Sequence, residues 1–180
     1  MAKKLEKHQD YIYLQEDYYN KPKETFNFIL NLIKKFHKKK INSILDLGCA
    51  RGEWLYFVKK KTNIKELVGV DYSQNLINEG KRNLGDFNIK FYKGSAETIK
   101  IKKKFDVIIA SGLVSYFDDI NKFLNNSLKK LNKGGILIIL DNFNPYDVDV
   151  ILKYRNNKYS KNFEKGWNLH SIETVKRSLI

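Results

Sequence analysis

The chain has 180 residues, a formal net charge of +14 and a hydrophobic content of 42%. That length allows one domain with a real core, and that apolar share excludes disorder as the default. No long uncharged apolar run offers a membrane span, residues 1–10 lack the apolar core of a signal peptide, and a lone cysteine, Cys49, excludes an intrachain disulfide and points to a reducing, cytoplasmic setting.

The charge suits nucleic acid, anionic membrane or acidic substrates as partners. Arginine, the better fork for phosphates and bases, occurs only at Arg51, Arg82, Arg155 and Arg177. Lys, Asn and Ile abound throughout, which points to coding bias rather than a selected patch.

Residues 1–20 are polar, with Tyr11, Tyr13, Tyr18 and Tyr19. Pro22 fits a first helical turn. From Lys23 to Lys38, Phe26, Ile29, Leu30, Ile33 and Phe36 recur at helical spacing, predicting an amphipathic helix against a sheet. The tyrosines are expected to pack on that helix; a lid is the alternative.

Ser43-Ile44-Leu45-Asp46-Leu47 reads as a buried strand, and Gly48-Cys49-Ala50-Arg51-Gly52 as a turn into a helix that begins at Glu53. Gly48 and Gly52 tolerate positive φ or a close backbone approach. Such a strand, turn and helix N-terminus form a ligand site in open α/β sheets. The dinucleotide fingerprint G-x-G-x-x-G is not met, because its positions hold Gly48, Ala50 and Glu53. The pattern D-x-G-x-[GA]-x-G is met by Asp46, Gly48, Ala50 and Gly52. This resembles the first motif of the class I S-adenosyl-L-methionine (SAM)-dependent methyltransferases, where the turn lies against the methionine end and ribose of the cofactor. Ala50 departs from the commoner glycine. Cys49 reads as a small packing residue, since no histidine is near in sequence to activate it.

The next strand, Glu66–Val70, ends at Asp71. Val70-Asp71-Tyr72-Ser73 resembles the family's second motif, which implies that Asp71 accepts from both ribose hydroxyls and that Tyr72 lies on the adenine face. A carboxylate suits that task, being charged and acceptor-only. Ser73 is placed to cap a helix over Gln74–Leu84. After the third strand, Ile89–Tyr92, the loop Gly94-Ser95-Ala96-Glu97 corresponds to the family's adenine loop, with Ser95 where an Asp is common. The fourth strand, Phe105–Ala110, leads to Ser111 and Tyr116, on the substrate side in such enzymes.

Several signatures are absent. There is no Asn- or Asp-Pro-Pro-aromatic run, no Pro-Cys, and no acid at the end of the fourth strand. Asp141-Asn142 would be only half of a metal site, so no metal is expected. A helix is predicted over Asp118–Leu131, with Ile120, Phe123, Leu124 and Leu128 on one face. Lys133-Gly134-Gly135 would end it, and Ile136–Leu140 would be a buried fifth strand. Residues 142–166 read as a substrate-side insertion, and Ser171–Leu179 as a helix capped by Ser171. The resemblance covers residues 41–140. Its members normally carry two further strands, which this sequence lacks, leaving a fragment or a short variant.

The expected fold is α/β: a doubly wound, Rossmann-like sheet of parallel strands flanked by helices. It comprises an N-terminal segment and helix (1–40), a SAM-binding core (41–141), and an insertion with a C-terminal helix (142–180). The resemblance implies a methyltransferase that uses SAM and releases S-adenosyl-L-homocysteine (SAH). Asp46, Gly48, Ala50, Gly52, Asp71, Tyr72, Ser95, Ala96, Glu97 and Ser111 would bind the cofactor. Tyr116, Asp141 and His170 are the candidates for general base. The favoured partner is a small polar acceptor, such as a sugar or metabolite, methylated on oxygen or nitrogen. The alternatives are an RNA methyltransferase that uses the lysine surface and a non-catalytic interaction module of the same fold.

Overall fold

The computed structural model describes residues 10, 13–37, 39–155 and 162–179. Five parallel strands form its centre: β1 (Ser43–Leu47), β2 (Glu66–Asp71), β3 (Ile89–Lys93), β4 (Phe105–Ser111) and β5 (Leu131–Leu140). Their order is β3-β2-β1-β4-β5. The chain therefore winds outward from β1 to β3, then crosses back to lay β4 on the other side of β1. That reversal leaves a crevice beyond the carboxyl ends of β1 and β4, where open α/β sheets hold ligands.

The register explains the composition of the strands. Asp46 of β1 lies opposite Gly69 of β2 and Ile109 of β4. Side chains alternate between faces. Ile44, Leu67, Val107 and Ile109 pack on one face, beneath α1 (Glu24–Phe36), α2 (Glu53–Lys61) and α3 (Gln74–Leu84). Leu45, Leu47, Val68 and Ile108 pack on the other, with Ile120, Phe123 and Leu124 of α4 (Ile120–Lys129). Both faces are covered, so the runs are apolar throughout.

Several boundaries differ from the sequence reading. Helix α1 begins at Glu24 with Lys23 as its N-cap, so Pro22 precedes the helix. Phe36, at the other end of α1, is exposed. Helix α4 is shorter than Asp118–Leu131, because the Asp119 side chain caps it by accepting from the Asn121 N–H, and Leu131 already pairs with Phe105. Leu128 is exposed, and Ser127 takes the buried position instead. Lys133–Gly135 lies inside β5 as a bulge where the register slips between Phe105 and Val107, with Gly134 at φ +79°. Ile136–Leu140 is half-buried rather than buried, because β5 is the edge of this sheet among the described residues.

Beyond β5 the chain makes short pairings. β6 (Phe143–Asn144) runs parallel to β9 (His170–Ser171), and β7 (Lys153–Tyr154) antiparallel to β8 (Glu164–Lys165). Helix α5 (Ile172–Arg177) is capped by Ser171, whose Oγ accepts from the Thr174 N–H. No helix among the described residues is long and apolar enough to cross a membrane.

Candidate active site

The turn after β1 is held to β2 by backbone bonds. The N–H groups of Gly48 and Cys49 both donate to the Val70 carbonyl, at 2.8 and 3.0 Å. Gly48, Ala50 and Gly52 all take positive φ, at +76°, +49° and +80°. For Ala50 that conformation is strained. A direct bond steadies it: the Ala50 N–H donates to Asp71 Oδ2 at 2.8 Å, while Asp71 Oδ1 accepts from the Ser73 N–H, also at 2.8 Å. The two motifs are thus one constellation, joined across the ends of β1 and β2.

Gly52 has a different part from the one expected. It is the N-cap of α2, and a Cβ there would meet the Phe91 ring at 2.5 Å. It sets the helix against β3 and lies outside the lining of the two cavities described next. Cys49 is buried, its thiol pushed well up by desolvation and by the carboxylates of Asp46, Asp71 and Glu53. It stays protonated and packs beside Gly69.

Two cavities open at the crevice. The first, about 510 Å³, is lined by Gly48, Ala50, Asp71, Tyr72, Ser95, Ala96, Glu97, Ser111 and Tyr116. Asp10, Tyr13, Ser73, Leu76, Leu113 and Phe117 complete most of its wall. The second, about 400 Å³, is lined by Asp46, Glu53, Trp54 and Asp141, by Lys23 and Phe26 of the α1 region, and by Tyr18. Tyr13, Gly48, Ala50, Ser111 and Gly112 line both. The first therefore gathers eight of the ten residues expected for the cofactor. Asp46 lies in the second, and Gly52 in neither.

The electrostatics of the first cavity are one-sided. Asp10, Asp71 and Glu97 line it, and no lysine or arginine among the described residues does. Burial pushes the Asp71 carboxyl up to about 6, against the pull of the two backbone N–H bonds; nearby Asp10 and Glu53 add to the rise. The Asp46 side chain, in a residue only 5% exposed, receives no hydrogen bond among the described residues, and burial together with Asp71 and Glu53 holds its carboxyl well above the usual range. A bound cation would restore its charge. Tyr72 is 62% exposed beside the cavity, a bare ring face. The loop of Ser95 and Ala96 is braced from behind, where Asn126 Nδ2 donates to the Ala96 carbonyl at 2.7 Å.

The three candidate bases are placed apart. Tyr116 lines the first cavity, and its hydroxyl accepts from Trp167 Nε1 at 2.8 Å. Asp141 lines the second; its Oδ2 accepts from the Ser115 N–H and its Oδ1 from the Asn142 N–H. His170 lines neither. It is 2% exposed, and its Nε2 lies 2.9 Å from the Phe117 carbonyl. It joins β9 to the turn after β4, a structural post that removes it from the set of bases.

Sequence reading missed the N-terminal contributors. The Asp10 carboxylate accepts from Ser73 Oγ and Asn75 Nδ2. Arg51 makes a buried ion pair with Glu53 at 2.8 Å and donates to the Glu16 carbonyl, while the Tyr19 hydroxyl donates to the Arg51 carbonyl. The segment before α1 is thereby strapped to the glycine turn. Tyr19 and Tyr18 pack against the core, Tyr19 edge-on to Tyr56 of α2, whereas Tyr13 stands at the junction of the cavities. Tyr11 lies outside the described residues. The cluster of tyrosines was the available signal; nothing distinguished Asp10.

Residues 38–175 match a family model described as a methyltransferase domain. Over 133 residues the chain is 34% identical to the ubiquinone biosynthesis O-methyltransferase of Pelagibacter ubique (strain HTCC1062), covering 66% of this chain and 55% of that protein. Over 127 residues it is 26% identical to the malonyl-[acyl-carrier protein] O-methyltransferase of Haemophilus ducreyi, covering 68% of this chain and 49% of that one. The chain thus spans about half the length of these curated relatives. Among solved structures, a S-adenosylmethionine-dependent methyltransferase from Clostridium acetobutylicum ATCC 824 superposes with a TM-score of 0.67. The alignment takes in 99% of this chain and 85% of that one at 16% identity, a likeness of fold.

Proposed function

The chain belongs to the class I S-adenosyl-L-methionine-dependent methyltransferases, and from that premise we propose that it transfers a methyl group from SAM to an oxygen or nitrogen of a small polar acceptor. The O-methyltransferase names of its relatives favour oxygen. One observation carries the reading. The first cavity is walled by Asp10, Asp71 and Glu97, with no lysine or arginine in its lining among the described residues, beside a bare Asp46. That set suits a cofactor with a sulfonium, an ammonium and a ribose diol. It opposes the pyrophosphate of a dinucleotide.

When bound, the cofactor supplies an electrophilic methyl group on sulfur. The protein supplies geometry and dryness. Asp71 would take the ribose hydroxyls, Tyr72 would cover an adenine face, and Ser95 with the Ala96 backbone would meet the adenine edge. Asp46 would serve the cationic amino-acid end. Holding donor and acceptor in line is worth about 7–11 kcal/mol of barrier. The cavities meet at Tyr13, Gly48, Ala50, Ser111 and Gly112, and the methyl group would cross there. Asp141, on the acceptor side, is the preferred base, worth about 10²–10⁴-fold for a hydroxyl acceptor. Burial pushes the Tyr13 phenol up to about 12, with Tyr116, Glu53 and Asp71 adding to the rise, so it serves as a neutral wall.

Calorimetric titration with SAM, SAH and NAD tests the class. Saturable micromolar binding of SAM and SAH, with none of NAD, is the expected result. A folded chain that binds NAD and neither adenosyl compound would overturn it.

A further inference from the structure

The second cavity differs from the first in what its polar groups still need. Glu53 is already neutralised by the buried Arg51 pair, and both Asp141 oxygens accept from backbone N–H groups. Asp46, whose carboxyl is also unbonded among the described residues, would serve the cofactor's cationic end, and the remaining unsatisfied groups are donors. Lys23 is half-buried at the rim, its Nζ 4.2 Å from the centre of the Tyr18 ring and 5.5 Å from that of Tyr13, with no carboxylate partner among the described residues. Trp54, 6% exposed in the wall, has an Nε1 without any acceptor among the described residues. Helix α1 begins beside them, its N-cap Lys23 giving no side-chain cap and Thr25 of its first turn lining the cavity. Its first N–H groups add partial positive charge to the same place. Phe26, Ile29 and Trp54 add an apolar stretch to the wall.

We propose that the second cavity is an acceptor pocket for a hydroxy acid, whose carboxylate is held by Lys23 at the start of α1 and whose flat apolar body lies against Phe26 and Trp54. This rests on the methyltransferase reading and narrows it. Two tyrosine faces fix the ammonium in place, so the acid binds a preset cation and its hydroxyl extends inward, toward Asp141 and the shared opening. Lys23 is then a specificity residue: it selects acids over neutral molecules of the same shape.

The test uses the full chain with SAH titrated first, so a failure of the class shows before the acceptor is added. With SAH saturating, ligand-observed NMR compares 3-hydroxybenzoate with its neutral counterpart 3-hydroxybenzamide. The acid is expected to bind about fivefold tighter or more, the strength of a partly exposed ion pair. Lys23→Gln should lose that preference and keep its SAH affinity within about twofold, and Lys23→Arg should restore the preference. A thermal melt confirms that each variant is folded. Equal binding of acid and amide by the wild type, or binding of neither, overturns the proposal. A tenfold loss of SAH affinity in Lys23→Gln also overturns it, because the cation would then serve the cofactor's own carboxylate.

Discussion

Asp71 carries opposite consequences for binding and for stability. Its carboxyl is pushed up to about 6 by burial, despite the Ser73 and Ala50 N–H bonds, with Asp10 and Glu53 contributing to the rise. Above that value both oxygens are acceptors for a ribose diol; below it a proton occupies one of them. SAM affinity is therefore expected to be flat above pH 7 and to fall below pH 6, approaching about tenfold per pH unit. Asp71→Asn should bind weakly at every pH and lose the dependence. Calorimetry between pH 5 and 8 reads both effects, and a wild-type profile flat to pH 5 would refute the assignment. For the unliganded chain the sign reverses. A carboxyl raised in the folded state contributes stability below its unfolded value near 4, and that contribution is lost as pH rises through 6.

Strands β1 and β4 are stapled at their starts by one side chain, at the end of the sheet away from the crevice. Asp106 Oδ2 accepts from the N–H groups of Asn42 and Ser43 and from Ser43 Oγ, and its Oδ1 accepts from Asn132 Nδ2. Burial raises its carboxyl, but these bonds outweigh that and hold it below the usual range. Asp106→Ala should cost about 1–3 kcal/mol of stability, since it orphans several donors. The wild-type contribution should fade as pH drops below 4. A lowered melting temperature with SAH affinity intact would fit; loss of SAH affinity in the folded variant would not. This staple shows where sequence reading stops. The run Ile44–Leu47 and the cap Ser73 are local signals, and β1 and α3 were legible from them. Asp106 joins residues some 64 positions apart, and neither it nor the strap from Glu16 and Tyr19 to Arg51 has a local pattern. The glycine turn, Asp71 and the Ser95 loop were legible because short motifs carry them. His170 entered the candidate bases on its residue type, while its partner, the Phe117 carbonyl, is set only by packing.

Charge is sorted by depth across the whole molecule. The net charge is +14, yet no lysine is buried among the described residues, whereas Asp10, Asp46 and Glu53 are. The exterior is a lysine field, and the first cavity is an acidic interior that fits a cationic cofactor. These two regions answer salt differently. Exposed charges are screened over a Debye length of about 10 Å at 0.1 M salt, while buried ones are screened much less. SAM affinity should therefore shift by less than about threefold between 50 and 500 mM NaCl, despite the ligand's charge. RNA attracted to the lysine exterior should behave otherwise. With six or more phosphate contacts it would lose about 10³-fold or more between 50 and 200 mM. Fluorescence anisotropy with a labelled single-stranded RNA, with and without saturating SAH, separates a polyanion held by the field from a substrate held by the site. RNA binding that collapses with salt and ignores SAH belongs to the exterior alone. RNA binding that survives 200 mM salt and tightens with SAH would make RNA the acceptor, and would place the acid-binding role of Lys23 on a phosphate.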